Sequence, residues 1–485
     1  FGALALAAIL AACGGSDDDG SANAGATATL AVLETTDLHF NVRSYDYFKL
    51  AEDKSYGFER TATLVRAARK EFANTLLVDN GDTIQGTALA DYEATISPIP
   101  CTQQLSMYKA MGALGFDAGT LGNHEFNYGL PFLNQVLGGG LEVDGVDASK
   151  KCAGAGFPMV LANVISNKTK KPLVQPYTVL ERTLVAKGTD GKDVKLPIKI
   201  GVIGFTTPGI LNWDKRYLEG KVSTEGAVEA ATKYVPELRA KGADIVVALL
   251  HGGMDNAAYS PTMENPGLHL SKVAGIDAMV MGHQHSVFPD AAATPAYRQT
   301  GVDNKAGTIN GVPAVMASSW GKSLGVIQLA LQWDGSKWVV NKTASKSELR
   351  KAFTYLPNDR VCFLAAGRSL ELVQDYRART DEWKARIDDA RSAIEAEVLS
   401  KKDSILANLP LGEDVRVSLS YSYSSGGGDK VSLLLSVRRA GNGDIWNAGK
   451  TVEPPETDAF KMRKREGGEY VVTPRRDTPE GKKIA

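Results

Sequence analysis

Gly119-Thr120-Leu121-Gly122-Asn123-His124-Glu125-Phe126 joins an apolar approach, a turn flanked by glycines, and an amide beside an imidazole. Glycine adopts backbone torsions that other residues resist, so such a turn can aim neighbouring side chains at one point. An Asn carbonyl oxygen is a competent ligand for a hard or borderline cation, and the adjacent His can reach whatever that cation holds. Taken alone, the segment also reads as a surface turn with a capping Asn.

The rest of the chain decides between these readings. There are six histidines, at 39, 124, 251, 269, 283 and 285. All but His269 sit in short Gly- or Asp-containing segments downstream of apolar runs. Leu30-Ala31-Val32-Leu33 leads to Asp37-Leu38-His39, and Ile245 to Leu250 leads to His251-Gly252-Gly253. Ala278-Met279-Val280-Met281 leads to Gly282-His283-Gln284-His285, and Thr75-Leu76-Leu77-Val78 leads to Asp79-Asn80-Gly81-Asp82. Continuous apolar runs separated by helical stretches read as buried strands of an α/β sheet. In such sheets, chemistry gathers beyond the carboxyl ends of the strands, where each of these clusters falls.

Helices are predicted over 57–73, 103–114 and 224–240, a strand over Phe157 to Val164, and a hairpin over 177–205. Asn163 is expected to cap the next turn, the alternative being that it lines the site. Val312 to Ala317 and Leu324 to Leu331, with Trp333 and Trp338 about a Gly-Ser turn, are expected to close the domain with β-structure. The alternation fits a layered α/β sandwich of two mixed sheets flanked by helices.

In the order Asp37-Leu38-His39, Gly81-Asp82, Gly122-Asn123-His124-Glu125, His251, Gly282-His283-Gln284-His285, the chain resembles the calcineurin-like metallophosphoesterases. The longer strings Glu34 to His39, Val78 to Asp82 and Gly119 to Gly129 are similar to the 2',3'-cyclic-nucleotide 2'-phosphodiesterase/3'-nucleotidase branch of the 5'-nucleotidase family. The likeness runs from about 29 to 345. It implies two divalent ions (Mn, Zn, Co or Mg) that activate a water for in-line attack on phosphorus. It assigns Asp82 as the bridging ligand, Asp37, His39 and His285 to one ion, and Asn123, His251 and His283 to the other. His124 is expected to stabilise the phosphoryl group or protonate the leaving oxygen. Some 5'-nucleotidases carry an Asp three residues beyond that His. Here Asn127 takes the place, able to orient the ring by hydrogen bonding. His285 stands where some relatives have Gln.

Outside the ligand set, Glu125 is expected to anchor its turn, Asp79 to support the Asp82 loop, and His269 to be structural. Trp213, Trp320, Tyr92 and Tyr128 are candidates for stacking a base, though aromatics more often serve packing. Ser and Cys do not occur in a triad-like context, which weakens a covalent mechanism.

The 485 residues carry a formal net charge of −1 with acidic and basic residues interleaved, so no surface for a nucleic-acid polymer is implied. Leu4 to Ala12 followed by Cys13 resembles the end of a lipoprotein leader, with Cys13 the lipidated residue and the membrane its partner. Residues 14–28 are then a tether and the product is exported, periplasmic or at the cell surface. Export permits a disulfide between Cys101 and Cys152, the alternative being two free thiols. Cys362 reads as a small core residue.

The metallophosphoesterase domain is expected over 29–350 and a helical linker over 351–409, with Ser369 to Leu406 one amphipathic helix. The resemblance implies a large C-terminal domain holding the nucleoside between aromatic rings. Residues 410–485 lack its motifs; a hairpin of Val415 to Tyr423 with Lys430 to Val437 and little order from 462 onward are expected there. The functional expectation is hydrolysis of 2',3'-cyclic nucleotides and 3'-nucleotides. The alternatives are a broader 5'-nucleotidase or nucleotide-sugar phosphatase, and an inactive metal- and nucleotide-binding lipoprotein.

Overall fold

A computed structural model describes residues 23–47, 49–290 and 297–353 in full, and beyond them the backbone of seven strands between 362 and 474. The chain divides into two compact units, 1–354 and 355–485. Cys13 and residues up to 22 lie outside the described residues. Among the described residues, no helix is long and apolar enough to cross a membrane.

The first unit is built on strands whose two faces are both buried. In β1 (Thr27–Thr35), Leu30 and Val32 face one core while Ala31 and Leu33 face another. β2 (Thr75–Asp79), β3 (Ala118–Thr120) and β4 (Met159–Val160) follow in parallel beside it. The hairpin of β5 (Tyr177–Lys187) and β6 (Asp193–Thr206) starts a second layer. It continues in parallel through β7 (Ile245–His251), β8 (Ala278–Met281) and β9 (Val312–Ala317). β10 (Ser323–Trp333) returns to the first layer and runs antiparallel along β1. The pairing of β1 with β5 amounts to one residue pair, Thr27 with Lys187, so a single strand network folds into two stacked sheets.

Side-chain alternation with a period of two assigns each residue to a core. Ile245, Val247 and Leu249 of β7 meet Leu30, Val32, Leu76 and Val78 between the sheets. Val246, Ala248 and Leu250 turn outward against α4 (Ala227–Ala240). On the far side, α1 (Phe58–Glu71), α2 (Ser106–Leu114) and α3 (Leu130–Leu137) cover the outer face of the first sheet through Val65, Met111 and Leu133. Each fully buried aliphatic side chain contributes roughly 1.5–3 kcal/mol, which makes the four layers α/β/β/α mutually dependent. The predicted sandwich of two sheets flanked by helices is the fold observed.

Several local expectations change. β1 begins at Thr27, inside the segment expected to be tether. The strand expected from Phe157 to Val164 is two pieces, Met159–Val160 and Val164–Ser166. Between them the buried Asn163 accepts from Thr206 N–H at 2.9 Å and donates to the Thr206 and Glu225 carbonyls. The disulfide expected between Cys101 and Cys152, by contrast, is present.

In the second unit, the helix expected from Ser369 does not begin there. Ser369–Glu371 and Gln374–Ala378 are strands, and 379–406 lies outside the described residues. The expected hairpin is present as Arg416–Ser425 antiparallel to Lys430–Arg438. Phe460–Lys464 pairs with Tyr470–Pro474, where little order was expected. The side chain of Cys362 lies outside the described residues.

Candidate metal centre

Five strand ends converge at one edge of the sandwich. Asp37 and His39 follow β1, Asp82 follows β2, Asn123 and His124 follow β3, His251 ends β7, and His283 and His285 follow β8. Five of these residues are left-handed in backbone: Asp37 (φ 49°), His39 (44°), Asp82 (57°), His283 (69°) and His285 (52°). Glycine would take such torsions freely, whereas each non-glycine residue costs on the order of 1–3 kcal/mol there. Asp and His at these positions therefore mark side chains that cannot be dispensed with.

Interlocked loops hold the strained backbone. Asp37 N–H donates to Gly81 O at 2.9 Å, and His39 N–H donates to Asp82 O at 2.8 Å. Glu125, itself buried, accepts from the amides of Gly122, Asp82, Thr83 and Ile84, so it anchors the turn and does not face the cluster. Asp79 accepts from the Thr35 and Thr83 hydroxyls and from Gly81 N–H, bracing the Asp82 loop. Burial pushes the Asp79 carboxyl up to about 7 against those hydrogen bonds. A side chain at Gly122 would stand 2.3 Å from Asp82 Oδ1, and one at Gly282 would stand 2.7 Å from Asp37 Oδ2. Only glycine lets the loops approach this closely.

The side chains form overlapping groups able to hold a metal ion: Asp37, His39 and His285; Asp82, His251 and His283; and His39, Asp82 and His124. His39 Nδ1 donates to Gln85 O at 3.0 Å and His251 Nδ1 donates to Asn80 O at 2.7 Å. A carbonyl only accepts, so each neutral ring presents a bare Nε2 lone pair. These lone pairs face further acceptors. His39 Nε2 lies 2.9 Å from His285 Nε2, which is 3.2 Å from Asp37 Oδ1. His251 Nε2 lies 3.1 Å from Asp82 Oδ2 and 3.2 Å from Asn123 Oδ1. His283 turns Nδ1 to Asn123 Oδ1 at 2.8 Å, and its Nε2 meets Glu264 Oε1 at 2.6 Å. Acceptors crowded around common points need positive charge between them, and this donor set fits divalent cations.

Without a cation, protons supply that charge. Burial disfavours a charged His251, yet the Asp82 carboxylate raises it to about 10. Burial would likewise raise Asp82, but His251, His39 and His124 hold it far below the usual carboxylate range. Burial lowers His39, and burial followed by His251 lowers His283.

All seven residues expected as ligands meet here, with His124 beside them. His124 Nε2 is 4.0 Å from Asp82 Oδ2, and its Nδ1 lies 2.6 Å from Asn127 Oδ1. Trp213 stacks on His283 with ring centroids 5.6 Å apart, and Trp320 stands 6.4 Å from His285; both are partly exposed. Tyr92 is exposed, and Tyr128 donates its hydroxyl to Asp91. His269 lies apart, bonded to Ala257 O. The sequence reading missed Glu264, Gln85 and Asp214, whose contacts join segments far apart in the chain.

Residues 30–287 match the calcineurin-like phosphoesterase family. The 2',3'-cyclic-nucleotide 2'-phosphodiesterase/3'-nucleotidase of Salmonella typhimurium is 44% identical over 353 residues, 73% of this chain and 49% of that protein. The protein of the same description in Yersinia enterocolitica is 44% identical over 356 residues, 73% of this chain and 51% of its own. The chain thus spans about half the length of these curated relatives. The crystal structure of the calcineurin-like phosphoesterase YfkN from Bacillus subtilis aligns with a TM-score of 0.59 at 36% identity, covering 76% of this chain and 98% of that one.

Proposed function

The chain belongs to the calcineurin-like phosphoesterase family, and from that premise we propose that it hydrolyses nucleotide phosphoesters at a two-cation centre bridged by Asp82. The substrates are 2',3'-cyclic nucleotides and 3'-nucleotides, a choice supported by the names of relatives 44% identical to it. The observation that carries the proposal is the pair of lone-pair clusters sharing Asp82, one with His39 and one with His251.

Asp37, His39 and His285 would hold one cation, and Asn123, His251 and His283 the other. Divalent cations held there would supply Lewis acidity toward the phosphoryl oxygens and would lower the pKa of an attacking water. The chain's own residues do the rest. Gln85 O and Asn80 O fix the rings of His39 and His251, keeping each Nε2 aimed inward. His124, half-buried, stands beside the ligands with Nε2 toward Asp82, placed to stabilise added charge or to donate a proton to the leaving oxygen. We propose further that Cys13 carries a lipid anchor on an exported protein, supported by the Leu10-Ala11-Ala12-Cys13 string.

Assaying the purified chain with Mn(II) against bis(4-nitrophenyl) phosphate, 2',3'-cyclic AMP, 3'-AMP and 5'-AMP tests the proposal. Preference for the cyclic and 3'-esters is expected. Preference for 5'-AMP would point to the broader nucleotidase reading, and no turnover of any ester would overturn hydrolysis.

A further inference from the structure

We infer that Asp214 is a positioning residue for His124, acting through the side-chain amide of Asn127 to fix which ring nitrogen faces the phosphoryl group. Asp214 is buried, 4% exposed, and its two oxygens lie 3.2 and 3.0 Å from Asn127 Nδ2. A carboxylate accepts and does not donate, so the NH₂ end of the amide must face Asp214. The carbonyl end then faces His124, where Oδ1 lies 2.6 Å from Nδ1. That oxygen also only accepts, so His124 Nδ1 must carry the hydrogen. The neutral ring is left with its lone pair on Nε2, the atom turned toward Asp82, so Nε2 is the nitrogen that takes up a proton before giving it to the leaving oxygen, with Nδ1–H held on Asn127 throughout.

An Asn beside a histidine cannot by itself choose a tautomer, because its amide can present either end. The carboxylate behind it removes that freedom. Asp214 sits between two short helices, Ile210–Trp213 and Lys215–Leu218, and its N–H donates to Ile210 O. The loop that positions it also places Trp213 against His283. Asp214 makes no hydrogen bond or ion pair with the metal-binding side chains, so its part is confined to the ring of His124.

The inference rests on the proposed placement of His124 at the reacting group, and its test separates the two. Asp214→Asn keeps the size of the side chain but lets the amide pair of 127 and 214 reverse. With 3'-AMP or 2',3'-cyclic AMP, this variant is expected to lose kcat on the order of tenfold, with KM and metal content unchanged. The ¹⁵N histidine spectrum of the metal-loaded chain should show the His124 signal moving away from the Nδ1–H tautomer. The double variant Asn127→Asp/Asp214→Asn puts an acceptor-only group directly on Nδ1, with an amide behind it to donate. It should recover both the rate and the tautomer. Wild-type kcat and tautomer in Asp214→Asn, or a double variant no better than the single one, would overturn the inference. If the wild-type chain turned over no ester, the functional reading would fall and the tautomer signals would still decide the role of Asp214.

Discussion

His251 Nε2 and Asp82 Oδ2 lie 3.1 Å apart, and neither residue is accessible to solvent beyond 1%. The far side of the ring is tied to Asn80 O, so the imidazole cannot turn away. A buried carboxylate and a fixed lone pair in contact require a cation or a proton between them.

Asp82 lies 3.7 Å from His39 as well as 3.1 Å from His251, so both clusters depend on it. Asp82→Asn is expected to reduce metal content at both positions and to lower kcat by at least about 10³-fold. His124→Ala should keep its metal and lose about 10²–10⁴-fold in rate. Metal analysis alongside kcat separates the two variants, and equal metal loss in both would contradict the assignment of His124.

Gly122→Ala places a methyl group 2.3 Å from Asp82 Oδ1 and 2.6 Å from His251 Cε1. Neither neighbour is free to retreat, one being hydrogen-bonded by His124 N–H and the other by Asn80. Overpacking of this kind costs about 1–3 kcal/mol. Thermal unfolding should report that loss, and equilibrium dialysis should show weakened metal binding. A variant with unaltered affinity would mean that the loops are not clamped as described.

Glu34 is fully buried, and no hydrogen bond of good geometry reaches its carboxyl oxygens, although the Met281 and Ala317 backbone lies near enough to favour the charged form slightly. Burial first, then Asp37 and Asp79, raises its pKa well above the ordinary carboxylate range, which favours the neutral acid. Glu34→Gln, a neutral isostere, is expected to be at least as stable as the wild type at pH 6. A folded-state acid with a raised pKa loses stability as pH rises toward that value, so the variant should gain on the wild type at higher pH. Urea unfolding at pH 6 and pH 8.5 checks both statements. A strongly destabilised variant at pH 6 would show an ionised, paired Glu34.

The protonation of His251 sets a pH dependence for the metal-stripped chain. Its folded pKa, about 10, lies above the unfolded value near 6.5. Its contribution is therefore complete below pH 6.5 and declines as pH rises through about 10. Melting temperatures of EDTA-treated protein should fall between pH 7 and pH 9.5, and the decline should vanish in His251→Gln. Metal uptake has the opposite dependence, since the ion must displace this proton; affinity should rise with pH and proton release should accompany binding.

The frame of the site was legible because runs such as Ile245 to Leu250 are buried on both faces, which marks them as inner strands whose ends lie together. Asp37, His39, Asp82, Asn123, His251, His283 and His285 were legible as residue types that ligate metals, at those ends. What orients them was not. Glu264 meets His283 from 19 residues away and Asp214 meets Asn127 from 87, and no local pattern announces either contact. Glu34 did carry a signal, an acid interrupting an apolar strand. The helix expected from Ser369 illustrates the reverse failure: a charge-rich stretch with helical spacing is strand at Gln374–Ala378, where pairing with Arg416–Ser425 overrides local pattern.

The central claim is that one carboxylate, Asp82, joins two cation sites, and counting ions tests it most directly. Metal-stripped protein titrated calorimetrically with Mn(II) should bind two ions per chain, and Asp82→Asn should weaken both. A single ion, or two ions bound with unchanged affinity in the variant, would contradict the shared centre.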